Sequence, residues 1–94
     1  MNKVHCHTNL DLSHEIWPDS LPAIPRVGDK IESQTRHGIF RLSLEVVSVT
    51  WKYKNEGHYY PEIELSIPKG RFLSLTNFYE WYASLVGRSV SAFI

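Results

Sequence analysis

Ninety-four residues make one domain's worth of chain, and 43 % hydrophobic with 21 % charged residues is the balance of a folded protein rather than a disordered one. Ten basic and ten acidic residues cancel. No bulk charge therefore points to nucleic acid or a membrane surface, and near-neutrality favours self-association. A single cysteine rules out an internal disulfide, and no apolar run is long enough to span a bilayer.

The N-terminus, Met-Asn-Lys-Val-His-Cys-His, lacks the apolar stretch of a signal peptide, so a cytoplasmic location is expected. Lys3 to Leu10 alternates as a short strand, with Val4, Cys6 and Thr8 against His5, His7 and Asn9. Residues 11–25 hold Pro18, Pro22 and Pro25, which break any regular element. Asp11 or Ser13 can cap one helical turn there. Leu12, Ile16, Trp17, Leu21 and Ile24 give this segment apolar anchors, so it reads as a loop packed over the domain. Pro25 to Ile31 is a turn with Gly28 at positive φ, leading into a strand over Lys30–Ser33. Gln34 to Gly38 turns the chain back, with Ile31 placed opposite Leu42.

Ile39 to Tyr53 has no Gly or Pro and is rich in β-branched and aromatic residues, so it reads as one long strand. Its apolar phase slips. Phe40, Leu42, Leu44 and Val46 share a face, and then Val47, Val49, Trp51 and Tyr53 take over. A β-bulge near Val46-Val47 absorbs the slip and bends the strand. Fifteen extended residues reach roughly 50 Å, too far for a straight strand in a domain of this size. The strand is therefore expected to curl into a sheet or small barrel. Asn55-Glu56-Gly57 is turn chemistry with Gly57 left-handed, pairing Lys54 with His58. Tyr53 then faces Tyr59, Val49 faces Ile63 and Val47 faces Leu65. Pro61 marks a bulge or an edge in the second strand.

Pro68 to Arg71 is another turn, and Phe72 to Leu75 a short extended piece. A helix over residues 77–86 is capped by Asn77 or Thr76. Phe78, Trp81, Tyr82, Leu85 and Val86 form one apolar stripe on it. Gly87 ends the helix, and Arg88 to Ile94 returns as a last strand with Val90, Ala92 and Ile94 on one face.

Few groups suggest chemistry. His5, Cys6, His7 and His14 are metal-ligand types, but Cys6 points away from the two flanking histidines and no CxxC or HxxxH pair supports them. Cys6 as a nucleophile lacks an adjacent base and packs more naturally as a small hydrophobe. Glu62 and Glu64 share a strand face and could act as an acid/base pair, although a solvated sheet face has the same pattern. Asp29, following Gly28, belongs to the turn. No phosphate loop, nucleophile elbow or metalloprotease helix is present. Lys52, Lys54, His58 and Tyr60 form the one basic-aromatic face, the signature of single-strand nucleic-acid binding, diluted by Glu62 and Glu64. The helix stripe is core.

Asn9-Leu-Asp-Leu-Ser-His14, Trp17-Pro18, Pro25-Arg-Val-Gly-Asp-Lys-Ile31 and Phe78-Tyr-Glu-Trp-Tyr82 resemble small uncharacterised reading frames of bacterial prophages and mobile elements. The resemblance covers most of the chain and implies no activity, cofactor or site residue. The Val27-Gly28-Asp29-Lys30-Ile31 turn also looks like the entry of SH3-like and OB-like barrels.

The sequence therefore predicts a single α+β domain over residues 1–94. It is a strongly bent antiparallel sheet or partly open barrel with one C-terminal helix, covered by the proline-rich segment. The expected function is a non-enzymatic binding module for a protein partner or a second copy, with no metal or cofactor. Trp17, Tyr60 and Tyr79 are the candidate contact residues, since patterning leaves them least committed to the core. Single-stranded nucleic-acid binding through Lys52, Lys54, His58 and Tyr60 is the alternative, and an enzyme comes third.

Overall fold

A computed structural model describes residues 1–12 and 14–91. Strand β1 is Asn2–Lys3, β2 His5–Thr8, β3 Ser20–Leu21, β4 Lys30–His37, β5 Phe40–Asn55 and β6 His58–Ser66; helix α1 is Leu75–Ser91. Strand β5 organises the rest. It runs for sixteen residues, as its freedom from Gly and Pro and its β-branched content dictate. It is the shared strand of two consecutive hairpins in a curled, half-barrel sheet of order β2-β6-β5-β4.

The slip in apolar phase is resolved by one extra residue. Val46 pairs with Leu65 and Ser48 with Glu64, which leaves Val47 unmatched and exposed. Before the bulge Leu42, Leu44 and Val46 are buried; after it Val49, Trp51 and Tyr53 lie opposite Ile63, Pro61 and Tyr59. It is Val46, not Val47, that faces Leu65. The β5–β6 turn is tighter than expected. Asn55 pairs with His58 around Glu56 and Gly57, at φ 47° and 79°, with Lys54 as a second unmatched residue. Two positive φ values in a two-residue loop match the twist of the flanking strands. The Tyr53–Tyr59 and Val49–Ile63 pairings hold because the extra residue lies in the strand instead of the loop.

Strand β4 extends four residues past Ser33, to His37. The turn is only Gly38-Ile39, with Gly38 at φ 64°. A register shift between Glu32 and Arg36 then sets Ile31 against Leu44 rather than Leu42. A displacement of two residues keeps the same side chains facing the core.

The N-terminal strand joins the sheet parallel to β6, with His5 opposite Glu62 and Thr8 opposite Leu65, so the sheet is mixed. Its long connection to the partner strand removes the hairpin constraint that makes neighbours antiparallel. Pro61 sits one residue outside this pairing, where β6 has a neighbour on one side only. Residues 14–25 cover the sheet, and β3 pairs antiparallel with β1. Leu12 is buried and Trp17, Leu21 and Ile24 pack on the core, whereas Ile16 is exposed. The helical turn expected here is a single hydrogen-bonded turn from Glu15 N–H to Leu12 C=O. Ser13 lies outside the described residues.

Leu73 and Ser74 form a bend and Leu75 already opens α1, in place of the extended piece expected over Phe72 to Leu75. Ser74 caps α1, two or three residues ahead of the expected cap. Its Oγ accepts the Asn77 N–H at 3.2 Å and donates to Asn77 Oδ1 at 2.7 Å. Phe78 is fully buried and stacks on Tyr82 with ring planes 7° apart; Leu85 is buried too. The helix runs through Gly87 to Ser91. Gly87 lacks the positive φ that a C-terminal cap uses, so it acts as an ordinary helical residue. The expected last strand is therefore helical up to Ser91, and residues 92–94 lie outside the described residues.

The core joins Ile31, Leu42, Leu44, Val46, Ile63 and Leu65 of the sheet to Val4 and Leu12 of the N-terminal chain and to Phe78 and Tyr82 of α1. The molecule measures 50 × 29 × 20 Å.

Candidate functional site: an aromatic arm and a buried polar cluster

Beyond Val46 the sheet loses β4 and keeps β2, β6 and β5, and beyond the Thr50–Glu62 pair it narrows to two strands. Strand β4 pairs with β5 only from Phe40 to Glu45. Gly28 N–H then donates to Val46 C=O, and Val46 N–H to Asp29 C=O, both at 2.8 Å. Past this clasp no described strand pairs with that edge of β5, and β2 leaves β6 before Pro61. The β5 edge is thus open from Ser48 onward, and Trp51 to Pro61 is a two-stranded arm open on both sides.

The two faces of the arm differ. The apolar face continues the core side of the sheet but outruns its cover. Trp51 is 56 % exposed, Tyr53 61 % and Tyr59 59 %. Tyr53 and Tyr59 meet edge to face at 5.5 Å. The strand pattern placed Trp51 and Tyr53 with the apolar set correctly, but both are more than half exposed and stand outside the core. Three large aromatics together in water are the kind of patch that protein contacts use.

The polar face carries a ladder of charges. His5 Nδ1 lies 3.6 Å from Glu62, and His7 Nδ1 lies 2.7 Å from Glu64. Lys52 reaches Glu62 at 4.0 Å. Glu64 pushes the His7 imidazole pKa upward, by its hydrogen bond first and its charge second. Tyr60 meets the His5 ring edge to face at 6.4 Å, and with Lys54 these two line an open groove of about 430 Å³. The nucleic-acid candidates Lys52, Lys54 and Tyr60 are therefore close together, and His58 follows the turn in an exposed position. Glu62 and Glu64, weighed as an acid/base pair, are each engaged with a histidine and exposed to solvent in part.

The other candidates are placed as follows. Trp17 and Tyr79 are half-buried against the core, and the Tyr79 hydroxyl accepts the Asp11 N–H at 2.7 Å. They therefore offer less free surface than Trp51, Tyr53 and Tyr59. Cys6 packs on the core side of β2, where burial raises its thiol pKa. His14 is exposed, apart from His5 and His7 in the chain's turn after Leu12. Among the described residues no three His, Cys, Asp or Glu side chains are grouped so as to hold a metal ion. Asp29 does turn chemistry, its carboxylate accepting the Arg26 N–H at 2.9 Å.

One cluster has no counterpart in the sequence reading. The Glu15 side chain is wholly buried and accepts from three groups. His37 Nε2 lies 2.6 Å from Oε1, the Tyr82 hydroxyl donates to Oε1 at 2.9 Å, and the Ser33 hydroxyl donates to Oε2. Burial first, then Glu15, pushes the Tyr82 phenol pKa far up, so it remains a donor. The cluster ties the covering segment to β4 and α1. It has no nucleophile–base geometry, because Ser33 is only 1 % exposed and directs its hydroxyl to the carboxylate instead of the imidazole. A signal was present in β4. Lys30, Glu32, Gln34 and Arg36 alternate with Ile31, Ser33, Thr35 and His37, and the second set carries no carboxylate, lysine or arginine. Reading the strand to end at Ser33 hid that period.

No family model, curated protein or solved structure matches the chain.

Proposed function

We propose that this chain is a non-enzymatic binding module whose contact surface is the apolar face of the β5–β6 arm. The observation that carries the reading is the clustering of exposed Trp51, Tyr53 and Tyr59 on a two-stranded projection with open edges. Aromatic side chains supply large contact area at little conformational cost, and open edges supply backbone donors and acceptors to a partner. The buried Glu15 cluster supports the same reading from the other side. Its polar groups are consumed in holding the domain together, which leaves them poor candidates for catalysis. Trp17, Tyr60 and Tyr79 are secondary contact candidates.

The test is affinity capture from host lysate with two baits, the wild type and Trp51→Ala/Tyr53→Ala/Tyr59→Ala. Circular dichroism first establishes that both are folded. Loss of the captured protein, or of self-association, with the triple variant is the expected result. Equal behaviour of the two baits overturns the reading.

Single-stranded nucleic acid is the second reading, favoured by His5, Lys54 and Tyr60 around one groove, with Lys52 paired opposite Tyr60. It requires affinity that falls steeply with salt and a loss of about 1–3 kcal/mol for Tyr60→Ala. The carboxylates of Glu62 and Glu64 share that face, so weak or no binding at physiological salt is expected.

A further inference from the structure

We infer that the open edge of β5 pairs with the same edge of a second copy, antiparallel and centred on Trp51, to give a two-fold dimer with one continuous sheet. The inference rests on the reading of the arm as a protein-binding surface and names its partner.

Past the Gly28–Asp29 clasp on Val46, the outer edge of β5 has no described neighbour strand. An unpaired strand edge is a template for another strand. Two antiparallel copies place side chains of the same face together only when paired residue numbers sum to an even value, because faces alternate with period two. Odd sums would set Trp51 and Tyr53 against the partner's lysine face. The two-fold axis must therefore pass through a residue, perpendicular to the sheet, as an isologous contact requires.

Charge then selects among the residues. Like charges directly opposite are destabilising. Centring on Lys52 stacks that lysine on itself, and centring on Tyr53 sets Lys52 against Lys54 twice. Centring on Thr50 avoids lysine pairs but runs Lys54 into Val46, whose edge the clasp already occupies. Centring on Trp51 avoids every conflict and uses the whole free stretch. Ser48 meets Lys54, Val49 meets Tyr53, Thr50 meets Lys52, and Trp51 meets its copy. The apolar face gains aromatic–aromatic and aromatic–β-branched pairs, and each lysine meets a small hydroxyl residue. Lysines on an edge strand ordinarily discourage pairing; at these positions they exclude the wrong registers and leave one. The absence of net charge on the chain removes long-range repulsion between copies.

Sedimentation equilibrium tests this on three intact chains: the wild type, Ser48→Lys/Thr50→Lys and Lys52→Glu/Lys54→Glu. Ser48 and Thr50 are exposed and face Glu64 and Glu62 across the hairpin, so the added lysines leave the fold intact, which circular dichroism verifies. The wild type should move from monomer to dimer mass with concentration. The double-lysine chain should dimerise at least tenfold more weakly, since each new lysine faces Lys52 or Lys54 of the other copy. Mixing it with the double-glutamate chain should restore the dimer as a heterodimer. A wild type that stays monomeric overturns the inference, as does a double-lysine chain that dimerises normally or a mixture that gains nothing. If the wild type is monomeric while capture of another protein still depends on Trp51, Tyr53 and Tyr59, only the self-pairing fails. If the triple alanine variant changes neither assay, the reading beneath it fails as well.

Discussion

Removing the Glu15 carboxylate strips the buried cluster of the acceptor that its three donors share. In Glu15→Ala the His37 ring and the Tyr82 hydroxyl lose a partner at 2.6 and 2.9 Å, and neither has another hydrogen-bond partner among the described residues. Ser33 is better placed, with the Ile16 carbonyl 3.4 Å from its hydroxyl. Orphaned buried donors cost about 1–3 kcal/mol each, so with two of them Glu15→Ala should destabilise by about 2–6 kcal/mol. That is a large share of the roughly 5–15 kcal/mol typical of a folded domain. Glu15→Gln separates shape from chemistry. Its amide oxygen can keep the bonds from His37 and Tyr82, and its NH2 can donate to Ser33 Oγ. It should cost no more than about 1–2 kcal/mol, the scale of a single altered hydrogen bond. Urea unfolding followed by tryptophan fluorescence measures both variants, and the slope of free energy against urea should match the wild type. A loss under about 1 kcal/mol for Glu15→Ala would mean that the cluster does not hold the covering segment, refuting the argument.

Other expectations can be checked singly. Gly57→Val forces a β-branched residue to φ 79° and should cost about 1–2 kcal/mol in the same urea assay. Glu56→Asn should instead raise the urea midpoint, since asparagine tolerates the 47° φ better than glutamate and Asn-Gly is the preferred pair for this turn. NMR titration should place His7 above the usual histidine value of about 6.5, and Glu64→Gln should return it toward that value. Because the folded pKa is the higher one, the His7–Glu64 contribution to stability is complete below the unfolded value and fades as pH rises through the folded one. Cys6 should react with a thiol reagent at pH 8 more slowly than a free thiol, because half-burial raises its pKa and shields it.

The parts of the fold that the sequence made legible are those determined by neighbours along the chain. The slip at Val46-Val47 is visible because alternation on both sides is strong enough to expose a one-residue error. The left-handed Gly57 follows from turn chemistry, and the Phe78–Leu85 stripe from helical spacing. What was hidden depends on distant partners. Four residues of alternating pattern in β2 carry no direction, so its parallel alignment with β6 is set by where the intervening chain travels. Trp51 and Tyr53 show their common face in the sequence, but whether anything covers that face depends on how far α1 and the covering segment reach. Glu15, Ser33 and His37 look like ordinary surface residues one at a time. Only contacts across 18, 22 and 67 positions turn them into a cluster.

Those separations also bear on when the molecule can fold during its synthesis. Strands β4, β5 and β6 are joined by two-residue turns, so this meander can form as soon as Ser66 has left the ribosome. The chain that emerges first must wait. β2 has no native neighbour until residues 62–65 appear, and Glu15 lacks the third of its donors until Tyr82 arrives. Order thus runs outward from the middle of the chain, and the two ends lock together last. The N-terminal apolar residues Val4, Leu12 and Trp17 lie open throughout that interval, and a chain halted before α1 would present them uncovered.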